Sequence, residues 1–160
     1  MNIYIASDHA GLDLKKQIVE FLNGPTFRSY AQINLKNKLG VVEIFDLGPE
    51  DTASVDYPDY ADKVCKALES NFHDRGILIC GSGQGMALRA NKYPFILAAL
   101  VYNDEIAKLS REHNDANIIC LGSRFCTVEN AQNWIKIFLE TDFSEGRHSQ
   151  RVAKVCKPIP

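Results

Sequence analysis

The chain alternates short β-branched runs with longer segments of helical periodicity, and this alternation restricts the possible folds more than any other feature. A β-branched run bounded by turn residues is typical of a buried strand, whereas apolar residues three or four apart indicate a helix. The predicted strands are Asn2–Ala6, Val41–Phe45, Gly76–Cys80, Ile96–Val101 and Asn117–Leu121. The predicted helices are Leu12–Leu22, Tyr57–Leu68, Gln84–Lys92, Asp104–Arg111, Val128–Leu139 and Arg147–Val155.

Strands that alternate with helices predict βαβ units on a parallel sheet. We therefore expect an α/β fold, a doubly wound Rossmann-like three-layer sandwich around a five-stranded parallel sheet. The 160 residues match one ordinary domain and contain no linker or repeat, which predicts a single domain over 1–160. Residues 25–40 match neither pattern, and we expect them to form an extended loop inserted before the second strand.

Composition excludes several classes of protein. Apolar content is 46% and charged content 24%, which is typical of a soluble globular chain. The net charge of −2 gives no electrostatic reason to expect nucleic acid or an anionic membrane as a partner. No apolar run approaches the roughly 20 residues that span a bilayer, and the first apolar run is too short for a signal peptide. The five cysteines fit neither a zinc site nor a disulfide framework, so we expect reduced thiols in the cytoplasm.

The glycine-rich string Cys80-Gly81-Ser82-Gly83-Gln84-Gly85 directly follows the third predicted strand and opens a helix. Ligands of doubly wound sheets bind at the carboxyl ends of strands, and glycines let backbone N–H groups approach an anion there. The same electrostatic field stabilises a thiolate, so Cys80 is the cysteine most open to activation. A tight turn around a buried cysteine explains the same residues, and both interpretations stand at this point.

Two histidines follow predicted secondary-structure elements. In Ser7-Asp8-His9-Ala10-Gly11, Ser7 or Asp8 can cap the next helix. His9 is not a preferred capping residue and lies where a phosphate or sugar hydroxyl could reach it. His113 lies between a helix and the fifth strand, a position where a solvated histidine is common.

Three arginines could bind an anion. Arg124 follows the fifth strand, whereas Arg147 and Arg151 are four residues apart and share one face of the terminal helix. Two guanidinium groups on one face repel each other unless an anion lies between them, and arginine matches phosphate oxygens bidentately. A phosphate clamp and a solvated basic face both fit this pattern.

Together these segments resemble the ribose-5-phosphate isomerase B family, which includes the subunits of galactose-6-phosphate isomerase. The shared motifs occur in the family's order and cover nearly the whole chain. They are SDHAG at 7–11, DYPDYA at 56–61, GILICGSGQGMALRANK at 76–92, LSREHNDAN at 109–117, LGSR at 121–124 and EGRHSQR at 145–151. Two features depart from the family: Ser82 stands where threonine is usual, and the 25–40 segment is longer than usual.

The resemblance implies aldose–ketose isomerisation without a metal or cofactor. It also implies a homodimer with shared active sites, with a tetramer as the alternative. By resemblance Cys80 is the base, Ser82 is catalytic and His113 opens the sugar ring. Backbone amides of the turn hold the enediolate, other residues contact the sugar hydroxyls or the phosphate, and some come from the partner subunit. These implied substrate contacts are Asp8, His9, Gly81, Gly83, Gln84, Gly85, Asn114, Arg124, Arg147 and Arg151.

The chemistry of the reaction fits these residues. An enediol route needs one group to carry a proton between C1 and C2, and donors where negative charge develops. Our main expectation is interconversion of ribose 5-phosphate and ribulose 5-phosphate. The alternatives are an isomerase of allose or galactose 6-phosphate, a nucleotide-binding module at Gly81–Gly85, and a non-catalytic sugar-phosphate-binding subunit. The GxGxG spacing argues against the nucleotide, and the presence of both Cys80 and His113 argues for catalysis.

Overall fold

The computed structural model of the chain describes residues 1–35 and 41–157. Five strands form one sheet in the order β2-β1-β3-β5-β4, and every pair of neighbours is parallel. The strands are β1 (Asn2–Ser7), β2 (Glu43–Asp46), β3 (Arg75–Cys80), β4 (Ala98–Leu100) and β5 (Ile118–Gly122). The predicted five-stranded parallel sheet is confirmed.

The described ranges 1–35 and 41–157 contain seven α-helices, six of which pack on the two faces of the sheet. They are α1 (Leu12–Asn23), α2 (Pro25–Asn34), α3 (Tyr57–Ala67), α4 (Gln84–Ala90), α5 (Asp104–Glu112), α6 (Val128–Glu140) and α7 (Arg147–Val155). None of these helices is long and apolar enough to cross a membrane, among the residues that the structure describes.

Alternation along β3 explains the three layers, because successive side chains of a strand point to opposite faces. Ile77 and Ile79 join a core that contains side chains of α1, α2, α5 and α6. Leu78 and Cys80 join a second core with side chains of α3 and α4. Both faces of the strand are therefore buried, and its sequence is continuously apolar rather than alternating.

The prediction of an extended loop over 25–40 is wrong for its first part, because Pro25–Asn34 forms helix α2. Pro25 occupies the first turn, where its missing N–H costs no hydrogen bond. Phe27, Ala31 and Leu35 are buried at a spacing of four residues and join the core beside α1. Residues 36–40 of the predicted loop lie outside the described residues.

Helix α7 differs from the other helices because none of its residues is buried. A hydrogen bond from Ser144 N to Glu112 O, at 3.0 Å, brings the preceding segment to the end of α5. His148 and Val152 are half-buried, while Arg147 and Arg151 are exposed. This helix therefore projects its arginines from the body of the subunit.

Candidate active site

Cys80 ends β3 at the point where the direction of the chain connections reverses. The connection after β1 leads outward to β2, whereas the connection after β3 leads to the other half of the sheet. Such a switch point leaves a crevice at the carboxyl ends of the two strands, which is where doubly wound proteins bind ligands. Asp8 and Cys80 therefore follow or end neighbouring strands at the same edge.

The turn after β3 directs a backbone donor at the thiol. Gly83 N–H donates to Cys80 Sγ at 3.1 Å, and the Cys80 side chain is only 4% exposed. Gly83 has a φ of +75°, a left-handed conformation that glycine adopts without steric cost. A Cβ on Gly83 would lie 2.6 Å from a Leu100 side-chain atom. The donor that faces the sulfur thus depends on a glycine at this position.

Arg124 lies against the same turn. Arg124 N donates to Gly81 O at 3.2 Å, and a Cβ on Gly81 would be 3.1 Å from Arg124 Cζ. Ser82 Oγ accepts a hydrogen bond from Gln84 N at 3.4 Å. The turn therefore gathers a thiol, a hydroxyl, several backbone amides and one exposed guanidinium group.

Asp8 and His9 border this edge from β1. The Asp8 carboxylate accepts Gly11 N–H at 2.9 Å and caps the short 3-10 helix His9–Gly11, whereas the predicted side-chain cap on α1 is wrong, because α1 begins after Gly11 without one. His9 is exposed, and its Nδ1 accepts a hydrogen bond from Val55 N at 3.3 Å. Asp8 and His9 thus join the Cys80 turn at the carboxyl edge of the sheet.

Sequence reasoning missed two residues that shape this edge. A Cβ on Gly85 would lie 2.7 Å from the Tyr57 ring, so this half-exposed tyrosine covers the turn. Lys15 is buried, and its Nζ contacts Asp46 at 2.6 Å and Pro49 O at 2.8 Å. This ion pair joins the buried Lys15 to an exposed Asp46 carboxylate and holds the segment after β2 that leads toward Tyr57. The only sequence signal for Tyr57 was its place in DYPDYA.

His113 and Asn114 lie at the opposite edge of the sheet. Gly76 pairs with Ile118 and Cys80 pairs with Gly122, so four residue steps separate the two ends of the paired segment. At about 3.3 Å per step, this segment spans roughly 13 Å. His113 precedes β5 and follows α5, beyond the amino end of the segment. Within one chain, His113 and Cys80 therefore lie at opposite ends of the strands and do not meet.

The ring of His113 stacks on the ring of His148 from α7. The ring centroids are 4.2 Å apart and the planes differ by 6°. Burial of the ring lowers the pKa of His148, and the neighbouring His113, Arg147 and Arg151 lower it further. This stack brings the terminal arginines to the same edge as His113.

Arg111 supports the segment that carries His113 and Asn114. Its buried guanidinium group donates to Ala116 O at 2.6 Å and to the Asp115 carboxylate at 2.8 Å. Asp115 has a φ of +48°, so the chain turns sharply after Asn114. The arginine of the LSREHNDAN motif is thus a structural support for this turn.

The predicted site residues form two groups at opposite edges of the sheet. The carboxyl-edge cluster comprises Asp8, His9, Cys80, Gly81, Ser82, Gly83, Gln84, Gly85 and Arg124. The amino-edge cluster comprises His113, Asn114, Arg147 and Arg151.

Burial raises the pKa of two other thiols, Cys65 and Cys120. Burial, followed by the charge of Asp62, raises the pKa of Cys65 to about 12. Burial also raises the pKa of Cys120, with smaller contributions from Cys80 and Cys65. Both groups therefore stay protonated at neutral pH. No group of three His, Cys, Asp or Glu side chains within 1–35 and 41–157 could hold a metal ion.

The fold defines a doubly wound α/β protein, a class that binds its ligands at the switch point, where the carboxyl-edge cluster lies. Residues 3–155 match the family described as Ribose/Galactose Isomerase. The chain belongs to this family.

Named relatives cover nearly the whole chain. A probable ribose-5-phosphate isomerase B of Mycoplasma pneumoniae is 43% identical over 96% of this chain and 91% of its own length. The solved ribose-5-phosphate isomerase B of Clostridium thermocellum is 42% identical, with a TM-score of 0.85 over 98% of this chain and 95% of its own. The Mycoplasma genitalium enzyme, solved with bound ribulose-5-phosphate, is 42% identical with a TM-score of 0.78, over 97% and 93% of the chains.

Proposed function

We propose that residues 1–160 form one isomerase domain that interconverts ribose 5-phosphate and ribulose 5-phosphate. The observation that most supports this function is the Cys80 thiol, which ends β3 at the switch point and accepts the Gly83 N–H. The relatives named ribose-5-phosphate isomerase B support the choice of substrate. The five cysteines are all unpaired, which supports a reducing compartment such as the cytoplasm.

In the proposed reaction Cys80, as the thiolate, takes the proton from C2 of open-chain ribose 5-phosphate. The C2–H electron pair forms the C1–C2 double bond, and the carbonyl electrons move to O1 to give an enediolate. Cys80 then returns its proton to C1, while the proton on O2 moves to O1 through the hydroxyl of Ser82. The product is ribulose 5-phosphate, and the thiolate is regenerated.

Backbone amides of the Gly81–Gly85 turn are the proposed donors for the negative charge on the enediolate oxygen. The first N–H groups of a helix have no hydrogen-bond partner within the helix. Helix α4 begins within this turn, directly after Gly83. Donors that are already oriented stabilise charge that develops in the transition state. A resident metal ion is not needed in this proposal, because the backbone amides carry the developing charge.

Ring opening and phosphate binding require a second copy of the chain in this proposal. His113 and Arg151 belong to the amino-edge cluster, about one strand length from Cys80 in the same chain. We propose a homodimer in which the amino-edge cluster of one subunit completes the carboxyl-edge cluster of the other. His113 opens the furanose ring, Asp8 and Asn114 bind hydroxyls, and the arginines with His9 bind the phosphate.

Subunit complementation tests the crossed site. At a ribose 5-phosphate concentration well below the raised KM of Arg151→Ala, the Cys80→Ala and Arg151→Ala homodimers should each be nearly inactive. Their heterodimer should recover activity in the one site that combines both intact residues. Tandem tags on the two variants allow the heterodimer to be purified and its stoichiometry verified. A heterodimer without recovered activity would place both residues in one subunit's site and refute the crossed arrangement.

An assay on ribose 5-phosphate, allose 6-phosphate and galactose 6-phosphate tests the substrate. We expect turnover of ribose 5-phosphate with the highest kcat/KM of the three. A preference for either hexose phosphate would assign the alternative isomerase activity. Failure to turn over any of them, together with thermal stabilisation by NAD, would support a nucleotide-binding module instead.

A further inference from the structure

We propose that His148 is a positioning residue, whose ring holds the ring of His113 by parallel stacking and couples it to the arginines of α7. This inference rests on the proposed function of His113 in ring opening. His148 itself is given no contact with substrate in this proposal.

The contact geometry supports a positioning role. The two rings are nearly parallel, with planes 6° apart and centroids 4.2 Å apart. Stacking uses the face of an imidazole, whereas both ring nitrogens lie on its rim. His148 can therefore fix the plane of the His113 ring and leave its nitrogens available for proton transfer.

The weak attachment of α7 makes this contact important. No residue of α7 is buried, and of its first five residues only His148 is half-buried. Arg147 directly precedes His148, and Arg151 follows it by three residues. Any movement of the His148 ring relative to His113 would thus move the proposed phosphate clamp relative to the ring-opening group.

The charges around the pair make the stack sensitive to acid. Arg147 and Arg151 flank His148 on α7, and Glu145 precedes the helix. On the α5 side, Glu112 is paired with Lys108 at 3.3 Å and Asp115 with Arg111 at 2.8 Å. The pKa of His148 is lowered by burial, by His113 and by the two arginines. Protonation of His148 therefore favours separation of the rings, because an imidazole outside the stack binds the proton more tightly.

Two substitutions distinguish the contribution of the flat ring face of His148 from that of its titratable proton. His148→Ala removes the face, and we expect kcat on ribose 5-phosphate to fall about tenfold, the scale of one aromatic contact. His148→Phe keeps a flat face without a titratable group, and we expect kcat within about twofold of the wild type near pH 7.5. Gln150→Ala, an exposed site on the same helix, is the matched control. Equal losses for Ala and Phe, or no loss for Ala, would overturn the positioning role.

A proton-binding measurement tests the contact without catalysis. The imidazole resonances of His148, followed by NMR as a function of pH, should titrate at higher pH in His113→Ala than in the wild type. An unchanged titration would overturn the coupling of the two rings. If the wild type lacks isomerase activity but the titration shifts, the proposed function fails and the contact stands. Thermal unfolding of each variant verifies that it is folded.

Discussion

Replacement of Gly83 by alanine tests whether the turn at Cys80 is fixed by backbone conformation and close packing together. Gly83 has a φ of +75°, and an added Cβ would lie 2.6 Å from Leu100 Cδ1 and 2.9 Å from the Leu121 backbone carbon. The left-handed conformation costs a non-glycine residue about 1–2 kcal/mol. Crowding of a packed interior adds about 1–3 kcal/mol. The free energy of unfolding should therefore fall by roughly 2–5 kcal/mol.

Gly146 provides a comparison without crowding. It also has a positive φ, +56°, but an added Cβ would meet no atom within 4 Å. Its ψ of −126° differs from the −18° of Gly83 and lies outside the left-handed helical region, so Gly146→Ala should show a backbone cost of about 1–3 kcal/mol. For a chain of this length, 1 kcal/mol corresponds to roughly 2–4 °C in Tm, so we expect losses of about 10 °C for Gly83→Ala and about 6 °C for Gly146→Ala.

Differential scanning calorimetry on the two variants and the wild type measures both losses. Gly83→Ala should lose more stability than Gly146→Ala, because only at Gly83 does an added Cβ meet Leu100 and Leu121. A loss in Tm for Gly83→Ala no larger than that for Gly146→Ala would refute the conclusion that close packing restricts this position. Gly83→Ala should also lower kcat, because the N–H that donates to Cys80 Sγ moves with the turn.

Three further predictions concern the proposed roles. Cys80→Ala should abolish isomerisation and leave binding of ribose 5-phosphate nearly unchanged by calorimetry; a kcat within about tenfold of the wild type, a barrier change of only ~1.4 kcal/mol, would contradict its role as base. His113→Ala should reduce turnover of cyclic ribose 5-phosphate far more than turnover of acyclic ribulose 5-phosphate in coupled assays, and equal losses would assign His113 another role. Arg151→Ala should raise KM for ribose 5-phosphate about one to two orders of magnitude, the scale of one charge-assisted phosphate contact. Lys154→Ala on the same helix is its control, and equal effects of both substitutions would indicate only a loss of general charge.

The strands and most helices could be predicted from sequence, but their ends depend on hydrogen bonds that the periodicity of the sequence does not reveal. The predicted strand Ile96–Val101 is shortened to Ala98–Leu100, because Ile96 N donates to Tyr93 O in a turn. The predicted strand Val41–Phe45 begins instead at Glu43, whose N–H donates to Met1 O from the neighbouring strand's end. Helix α2 was missed because residues 25–40 match neither pattern as a whole, whereas the chain changes direction at Gly24 and starts a new helix at Pro25.

The site residues could be found from motifs, but their grouping required the topology. Cys80 ends a strand, whereas His113 follows a helix and precedes a strand, so the two lie at opposite ends of the strands. Contacts between distant segments could not be predicted. The packing of Tyr57 on Gly85 and the stack of His148 on His113 both depend on side-chain placement across separate elements. The chemical role of each residue stays a prediction that the variants test.

The separation of the two clusters by a rigid sheet has a mechanical consequence for the proposed dimer. Each subunit would contribute its base, Cys80, to one active site and its ring-opening group, His113, to the other. Strand length, about 13 Å over the paired segment of β3 and β5, then sets the spacing between these active sites. An insertion or deletion within either strand would misalign both active sites at once, so the length of these strands is restricted by catalysis as well as by folding.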